Sequence, residues 1–168
     1  LTASAGEERA VMRSVQRFHQ HGNGWDDIGY QFVVFQSGRA YEGRGWFRTG
    51  AHTEGRNSKS VGIAFAINGD VREPTAEAWA TARDIITEGV ELDAVDPDYT
   101  ISGHTDYAVK SCPGDRTFPL IDEGLRVRPH SDVKEYAQCV VGLTDADIEA
   151  GRVLAAVYDI ALVRAVGE

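Results

Sequence analysis

The chain has 168 residues, a size that fits one compact domain, and its 42% hydrophobic and 26% charged content argues against intrinsic disorder. Its 17 basic and 26 acidic residues leave a formal charge of −9, which disfavours nucleic acid and anionic membranes as partners. No apolar run approaches the ~20 residues of a membrane span, and two cysteines, Cys112 and Cys139, make no disulfide framework.

In chain order, Glu7 to Gln20 reads as an amphipathic helix, with Val11, Val15 and Phe18 at i, i+4 and i+7 and a stop at Gly22-Asn23-Gly24. Tyr30-Gln31-Phe32-Val33-Val34-Phe35 is a β-branched and aromatic run, and Ser37-Gly38 turns it into Arg39 to Gly43, a predicted hairpin. Gly43 to Lys59 has no sustained period and is expected to be a surface loop. Ser60 to Ile67 is mostly apolar, as suits a strand covered on both faces. Pro74-Thr75 opens a predicted helix to about Glu88, with Trp79, Ala82, Ile85 and Ile86 on one side, and Tyr99 to Ser102 is a short strand that leads into Gly103-His104. The alternation implies an α/β fold, a central, mainly mixed sheet flanked by helices.

Beyond Pro129 the pattern changes. Residues 131–141 and about 144–166 read as helical, the second opened by Thr144-Asp145-Ala146-Asp147, so the sequence divides into a domain over 1–129 and a C-terminal helical segment over 130–168. That segment reads either as a helix packed on its own domain or as a connector toward another module, such as one that binds cell wall. Of the basic residues only Lys59, Lys110 and Lys134 are lysine and the rest are arginine, a bias that points to a GC-rich source.

The most informative segment is Gly103-His104-Thr105-Asp106-Tyr107-Ala108-Val109-Lys110-Ser111-Cys112-Pro113-Gly114. A His at a strand end and a Cys eight residues later converge on one ion if the loop between them folds back, and imidazole nitrogen and thiolate sulfur suit zinc. Lys110 would place an ammonium beside that site, where it stabilises developing negative charge. The same spacing is also met by a buried structural Cys and a surface His.

Other motifs stand in order with it: Trp25-Asp26-Asp27-Ile28-Gly29-Tyr30-Gln31-Phe32, Tyr41-Glu42-Gly43-Arg44-Gly45-Trp46, Thr49-Gly50-Ala51-His52-Thr53 and Asn57-Ser58-Lys59-Ser60-Val61-Gly62-Ile63. Together, over about residues 1–123, they resemble the type 2 N-acetylmuramoyl-L-alanine amidases, a family that includes peptidoglycan recognition proteins and phage endolysins. The resemblance implies an amidase-like α/β fold and hydrolysis, with zinc, of the amide between N-acetylmuramic acid and L-alanine in bacterial peptidoglycan. It places the chain at the bacterial cell wall and on the endolysin-like branch.

Residue by residue, the resemblance puts His104 and Cys112 on the second and third zinc-ligand positions, Lys110 on the catalytic lysine position and Tyr30 on an assisting tyrosine. Some members use a glutamate in the strand where this chain has Ala64, so Tyr30 takes the assisting role. His52 falls in a segment lining the substrate groove. The family's first ligand sits in a His-His-Thr-Ala-like motif whose tail Leu1-Thr2-Ala3-Ser4 resembles, and that ligand is expected immediately before Leu1.

Trp46 reads either as a groove contact or as core, and Asn57 either as a turn residue or as a substrate contact. Trp25, Phe32 and Trp79 are expected in the core, His19 in a structural role, Asp26-Asp27 in turn capping, His21 and His130 in solvent, and Cys139 as a buried apolar residue. The alternative to an enzyme is a recognition module that binds peptidoglycan without cutting it.

Overall fold

A computed structural model of the chain describes residues 2–127 and the strand 160–163. The first helix, α1 (Ala5–His21), begins where Ser4 forms a reciprocal capping box with Glu7: the Ser4 amide donates to Glu7 Oε2 at 2.7 Å, and Ser4 Oγ accepts from the Glu7 amide at 3.4 Å. The hairpin forms as expected from β1 (Phe32–Val34) and β2 (Ala40–Glu42), which pair antiparallel with Val33 opposite Tyr41. The wholly buried β3 (Val61–Phe65) lies parallel to β1, with Val33 opposite Ala64.

Helix α2 (Ala76–Glu91) is capped by Thr75, whose hydroxyl accepts from the Ala78 amide at 3.1 Å, and it buries Ala78, Ala82, Ile85, Ile86 and Gly89. β4 (Ile101–Ser102) and the short α3 (Ile121–Leu125) follow. The last described strand, β5 (Ile160–Val163), pairs antiparallel with both β3 and β4, giving a mixed sheet in the order β2-β1-β3-β5-β4.

The helix expected over about 144–166 lies mostly outside the described residues, as do the helix expected over 131–141, His130 and Cys139. At Ile160–Val163 the backbone is a strand and not a helix. Four consecutive apolar residues carry no period that separates the two, and backbone partners on β3 and β4 decide in favour of the strand.

The stripe of α1 that faces the core also differs from the expected one. Its buried residues are Glu8, Met12, Val15 and His19, so two polar groups share the face with two apolar ones. Each has partners that replace water. Glu8 is fully buried and accepts from Arg39 Nε at 2.5 Å, Ser37 Oγ at 2.6 Å and Tyr41 OH at 3.0 Å, which clamps α1 onto the hairpin. His19 Nδ1 accepts from the Gly29 amide at 3.1 Å, the structural use expected of it, and its ring packs on Trp25. Asp27 Oδ1 accepts from the Ile28 amide at 2.7 Å and from Gln16 Nε2 at 2.8 Å, so it caps the turn. Phe32 is buried, and Trp79 packs against Phe65 with ring centroids 4.8 Å apart, both on the core as expected.

Burial raises the proton affinity of Glu8, but the hydrogen bonds from Arg39, Ser37 and Tyr41 outweigh it and hold the carboxyl below its usual range. A lowered native pKa means that Glu8 stabilises the fold fully above its unfolded value of about 4.5, and that this stabilisation is lost as pH falls through the native value. Glu8→Ala is expected to cost about 2–4 kcal/mol in urea unfolding at neutral pH, because it strands the partners of a buried carboxylate. Glu8→Gln is expected to cost less and to flatten the decline of stability below pH ~4.5.

Candidate active site

Residues 49–60 form a loop laid along the segment that precedes β1. The Ala51 amide donates to the Gly29 carbonyl at 2.8 Å, and the Asn57 side-chain oxygen accepts from the amides of both His52 and Thr53 at 2.8 Å each. Buried Gln31 stitches the same loop to β3: its Oε1 accepts from the Gly62 amide at 2.7 Å, and its Nε2 donates to the Arg48 carbonyl at 2.9 Å. Arg44 adds a third tie, with Nε on the Ile28 carbonyl and Nη1 on the Thr49 carbonyl, both at 2.8 Å.

These ties hold His52 in a slot that only glycines leave open. A Cβ on Gly62 would stand 2.6 Å from the His52 ring, and one on Gly50 would also collide with it. The ring is 7% exposed, its Nδ1 lies 3.3 Å from Thr53 Oγ1, and its Nε2 has no hydrogen-bond partner among the described residues. Burial, with a smaller contribution from His104, pushes its pKa down to about 3. His52 is therefore a neutral imidazole at physiological pH, able to accept or donate one hydrogen bond.

The second half of the site follows β4. His104 opens a single 3₁₀ turn, His104–Asp106, whose start is fixed by the Gly103 amide donating to Asp106 Oδ2 at 2.8 Å. The loop then folds back, as a shared ion requires. The Thr105 amide donates to the Cys112 carbonyl at 2.8 Å, and Gly103 lies so close to Pro113 that a Cβ would stand 2.6 Å from Pro113 Cδ. His104 and Cys112 are both buried. Downstream, the Asp115 amide bonds Asp70 Oδ1 and the Arg116 amide bonds the Gly69 carbonyl, each at 3.0 Å, which anchors the loop to the end of β3.

The expected residues are thus brought together unequally. His104 and Cys112 share one closed loop, and His52 lies near enough for the charge of a protonated His104 to lower its proton affinity. Tyr30 is 3% exposed, stands edge-on to His19 at 5.7 Å between centroids, and immediately precedes Gln31. Lys110 is exposed on the loop that carries Cys112. Asn57 acts on backbone amides of its own loop, and Trp46 packs against Phe32 at 4.6 Å and over Gly89 of α2. Both therefore have the structural use that the sequence left open for them.

His104 and Cys112 are a donor pair suited to zinc, and no group of three His, Cys, Asp or Glu residues that could hold a metal occurs among the described residues. Sequence reasoning passed over Gln31, Gly50, Gly62 and Arg44. The available signal was an amide side chain inside an otherwise apolar strand motif, since a buried amide must find partners.

The mixed sheet with its flanking helices is the fold of the peptidoglycan recognition proteins. The chain is similar to Drosophila PGRP-LB, with a TM-score of 0.68 and 37% identity over 70% of this chain and 69% of that one. It is similar also to human PGRP-IBETAC in complex with glycosamyl muramyl pentapeptide, with a TM-score of 0.67 and 33% identity over 70% and 72% of the two chains. The model of the N-acetylmuramoyl-L-alanine amidase family matches residues 2–115, and the chain belongs to that family.

A human N-acetylmuramoyl-L-alanine amidase is 46% identical over 122 residues, which cover 72% of this chain and 20% of the human protein, and peptidoglycan-recognition protein 1 of Holotrichia diomphalia is 36% identical over 129 residues, covering 74% and 66%. The chain thus spans about a fifth of the length of the human relative. These relatives are animal proteins and lend no support to the endolysin-like branch expected from the sequence. No helix among the described residues is long and apolar enough to cross a membrane.

Because Gly62 abuts the His52 ring, Gly62→Ala is expected to destabilise the fold by about 1–3 kcal/mol and to shift the His52 ring resonances in NMR spectra. A spectrum unchanged at His52 would show that the slot does not constrain the ring.

Proposed function

We propose that the chain is the catalytic part of a zinc-dependent amidase that cleaves the bond between N-acetylmuramic acid and L-alanine in peptidoglycan at the bacterial cell wall. What supports this reading is the loop closed by the Thr105–Cys112 backbone bond, which carries buried His104 and buried Cys112, with neutral His52 close enough to feel the charge of His104. Family membership and the muramyl pentapeptide bound by human PGRP-IBETAC support peptidoglycan as the substrate class.

His104 and Cys112 would hold the metal, with the third donor outside the described residues. When bound, zinc supplies Lewis acidity toward a carbonyl and lowers the pKa of water toward ~7. The chain's own residues would do the rest. Lys110, exposed on the same loop, stabilises the negative charge that develops on the carbonyl oxygen. Tyr30 orients the attacking water or passes a proton toward the leaving amine. His52 would line the substrate groove as a neutral ring and carries no charge that would compete with the metal. Asn57 shapes the groove by fixing the His52 loop, and Trp46 braces the loop's start against α2. The thiolate of Cys112 is a ligand and not a nucleophile, so no covalent intermediate forms.

A recognition module is the second reading, favoured by the finding that no group of three possible metal donors occurs among the described residues. Zinc content and the release of free L-alanine amino termini from purified cell wall separate the two. The enzyme reading expects about one zinc per chain, and a loss of at least ~100-fold in release for Cys112→Ser and His104→Ala together with loss of the metal. Lys110→Ala is expected to lower release by about 10²-fold and to keep the metal. A chain that binds cell wall fragments, holds no zinc and releases no amino termini is a recognition module. Undiminished release by Cys112→Ser would overturn the metal assignment.

A further inference from the structure

Helix α1 carries a surface that the site does not use. Arg9, Arg13 and Arg17 stand four residues apart and all three are exposed, and His21 continues their line to the end of the helix. By helix geometry, successive members lie about 6 Å apart along the axis and drift about 40° around it, so they form one ridge. The ridge sits roughly 130° around the helix from the buried stripe of Glu8, Met12, Val15 and His19.

Folding supplies no reason for this arrangement. Like charges four residues apart repel one another and weaken a helix. The helix dipole favours cations in the last turn, but that effect reaches neither Arg9 nor Arg13. Among the described residues none of the three arginines forms an ion pair. The helix's own acids are engaged elsewhere. Glu7 accepts from the Ser4 amide and hydroxyl at 2.7 Å each, and Glu8 is held by Arg39, Ser37 and Tyr41. Three uncompensated cations in one line, on a chain of net charge −9, are a local attraction for a polyanion. The net charge is screened beyond a Debye length of about 8 Å at physiological salt, so a partner lying on the ridge meets the ridge's own charges.

The form of the ridge selects among polyanions. A helix that lies on a membrane presents apolar side chains beside its cations, and single-stranded nucleic acid is held by exposed rings that stack on its bases. The exposed large apolar side chains among the described residues are Phe47, Val71, Leu92, Tyr107, Val109 and Phe118, and none of them is on α1. What α1 offers is a row of planar donor forks, each suited to the oxygens of one phosphate. Such a row matches a linear polymer of phosphodiesters whose spacers carry hydroxyls and no rings.

We propose that the Arg9–Arg13–Arg17 ridge binds a linear polyol-phosphate polymer, each guanidinium taking one phosphodiester. The choice of polymer rests on the cell-wall reading above, because anionic chains of this kind accompany peptidoglycan in walls, whereas the ridge stands on its own geometry. Bound there, the polymer tethers the chain to the wall and leaves the His104–Cys112 loop to act on a peptidoglycan strand.

The test measures binding by fluorescence anisotropy with three probes: a labelled glycerol-phosphate oligomer, an oligothymidylate of equal charge, and vesicles containing phosphatidylserine. The wild-type chain is expected to bind the glycerol-phosphate oligomer most tightly, with affinity falling as salt rises. Replacing all three arginines, Arg9→Gln, Arg13→Gln and Arg17→Gln, is expected to weaken that binding at least ~10-fold and to flatten the log–log salt slope by about 2. The three lysine replacements at the same positions should keep most of the affinity, and Arg72→Gln, an exposed arginine elsewhere, all of it. Because the glutamines remove repulsion from the helix, the unfolding midpoint of the triple variant should equal or exceed that of wild type. Wild type that ignores the oligomer, or a triple glutamine variant that binds it as wild type does, overturns the proposal. Tighter binding of the oligothymidylate or the vesicles through the same arginines overturns it as well and assigns the ridge to nucleic acid or to a membrane. Release of amino termini from peptidoglycan stripped of phosphate polymer is expected to be equal in wild type and the triple variant. That release tests the amidase alone: its absence in wild type removes the enzyme reading, while the oligomer decides the ridge.

Discussion

The amide of Thr105 and the carbonyl of Cys112 share a hydrogen bond of 2.8 Å, and the chemistry assigned to this site depends on the loop which that bond closes. Eight residues separate His104 from Cys112, so in an extended chain the two side chains would serve different places. One backbone bond brings the chain at Cys112 back to Thr105, next to His104. The contact of Gly103 with Pro113, and the bonds from Asp115 and Arg116 to the 69–70 turn, keep the loop from reopening. The ends of β3 and β4 thus act as a fixed frame, and the donors are carried on irregular backbone between anchored points.

The frame is built to an unusual degree from buried polar groups. Glu8, His19 and Gln31 are all shielded from water, and each performs a different joining task. Glu8 ties α1 to the hairpin, His19 ties α1 to the turn before β1, and Gln31 ties that segment to both β3 and Arg48, just before the 49–60 loop. Burial of such groups is tolerated because their hydrogen bonds replace those of water, and satisfied polar networks fix orientation in a way that apolar contacts do not. For a site that requires side chains placed to within a fraction of an ångström, directional bonds under the floor are the appropriate material.

His52 shows how burial and function are joined. Its slot exists because Gly50 and Gly62 lack side chains, and the same enclosure that orients the ring also strips it of charge.

By itself the sequence determined the hairpin, the buried parallel strand, both long helices and the family, because these follow from period, turn chemistry and ordered motifs that short stretches of chain carry whole. It also placed His104, Cys112 and His52 in the candidate site. Other matters waited on the tertiary structure: which face of α1 is buried, the use of Gln31 and Arg44, the structural work of Trp46 and Asn57, and the strand at Ile160–Val163. Each of these depends on partners distant in the chain. A glutamate reads as solvent-facing until Arg39, Ser37 and Tyr41 surround it, and four apolar residues have no fixed secondary structure until neighbouring strands offer them hydrogen bonds. Local sequence carries propensity and motif, and only the folded chain supplies the partners that decide what a polar side chain or a short apolar run becomes.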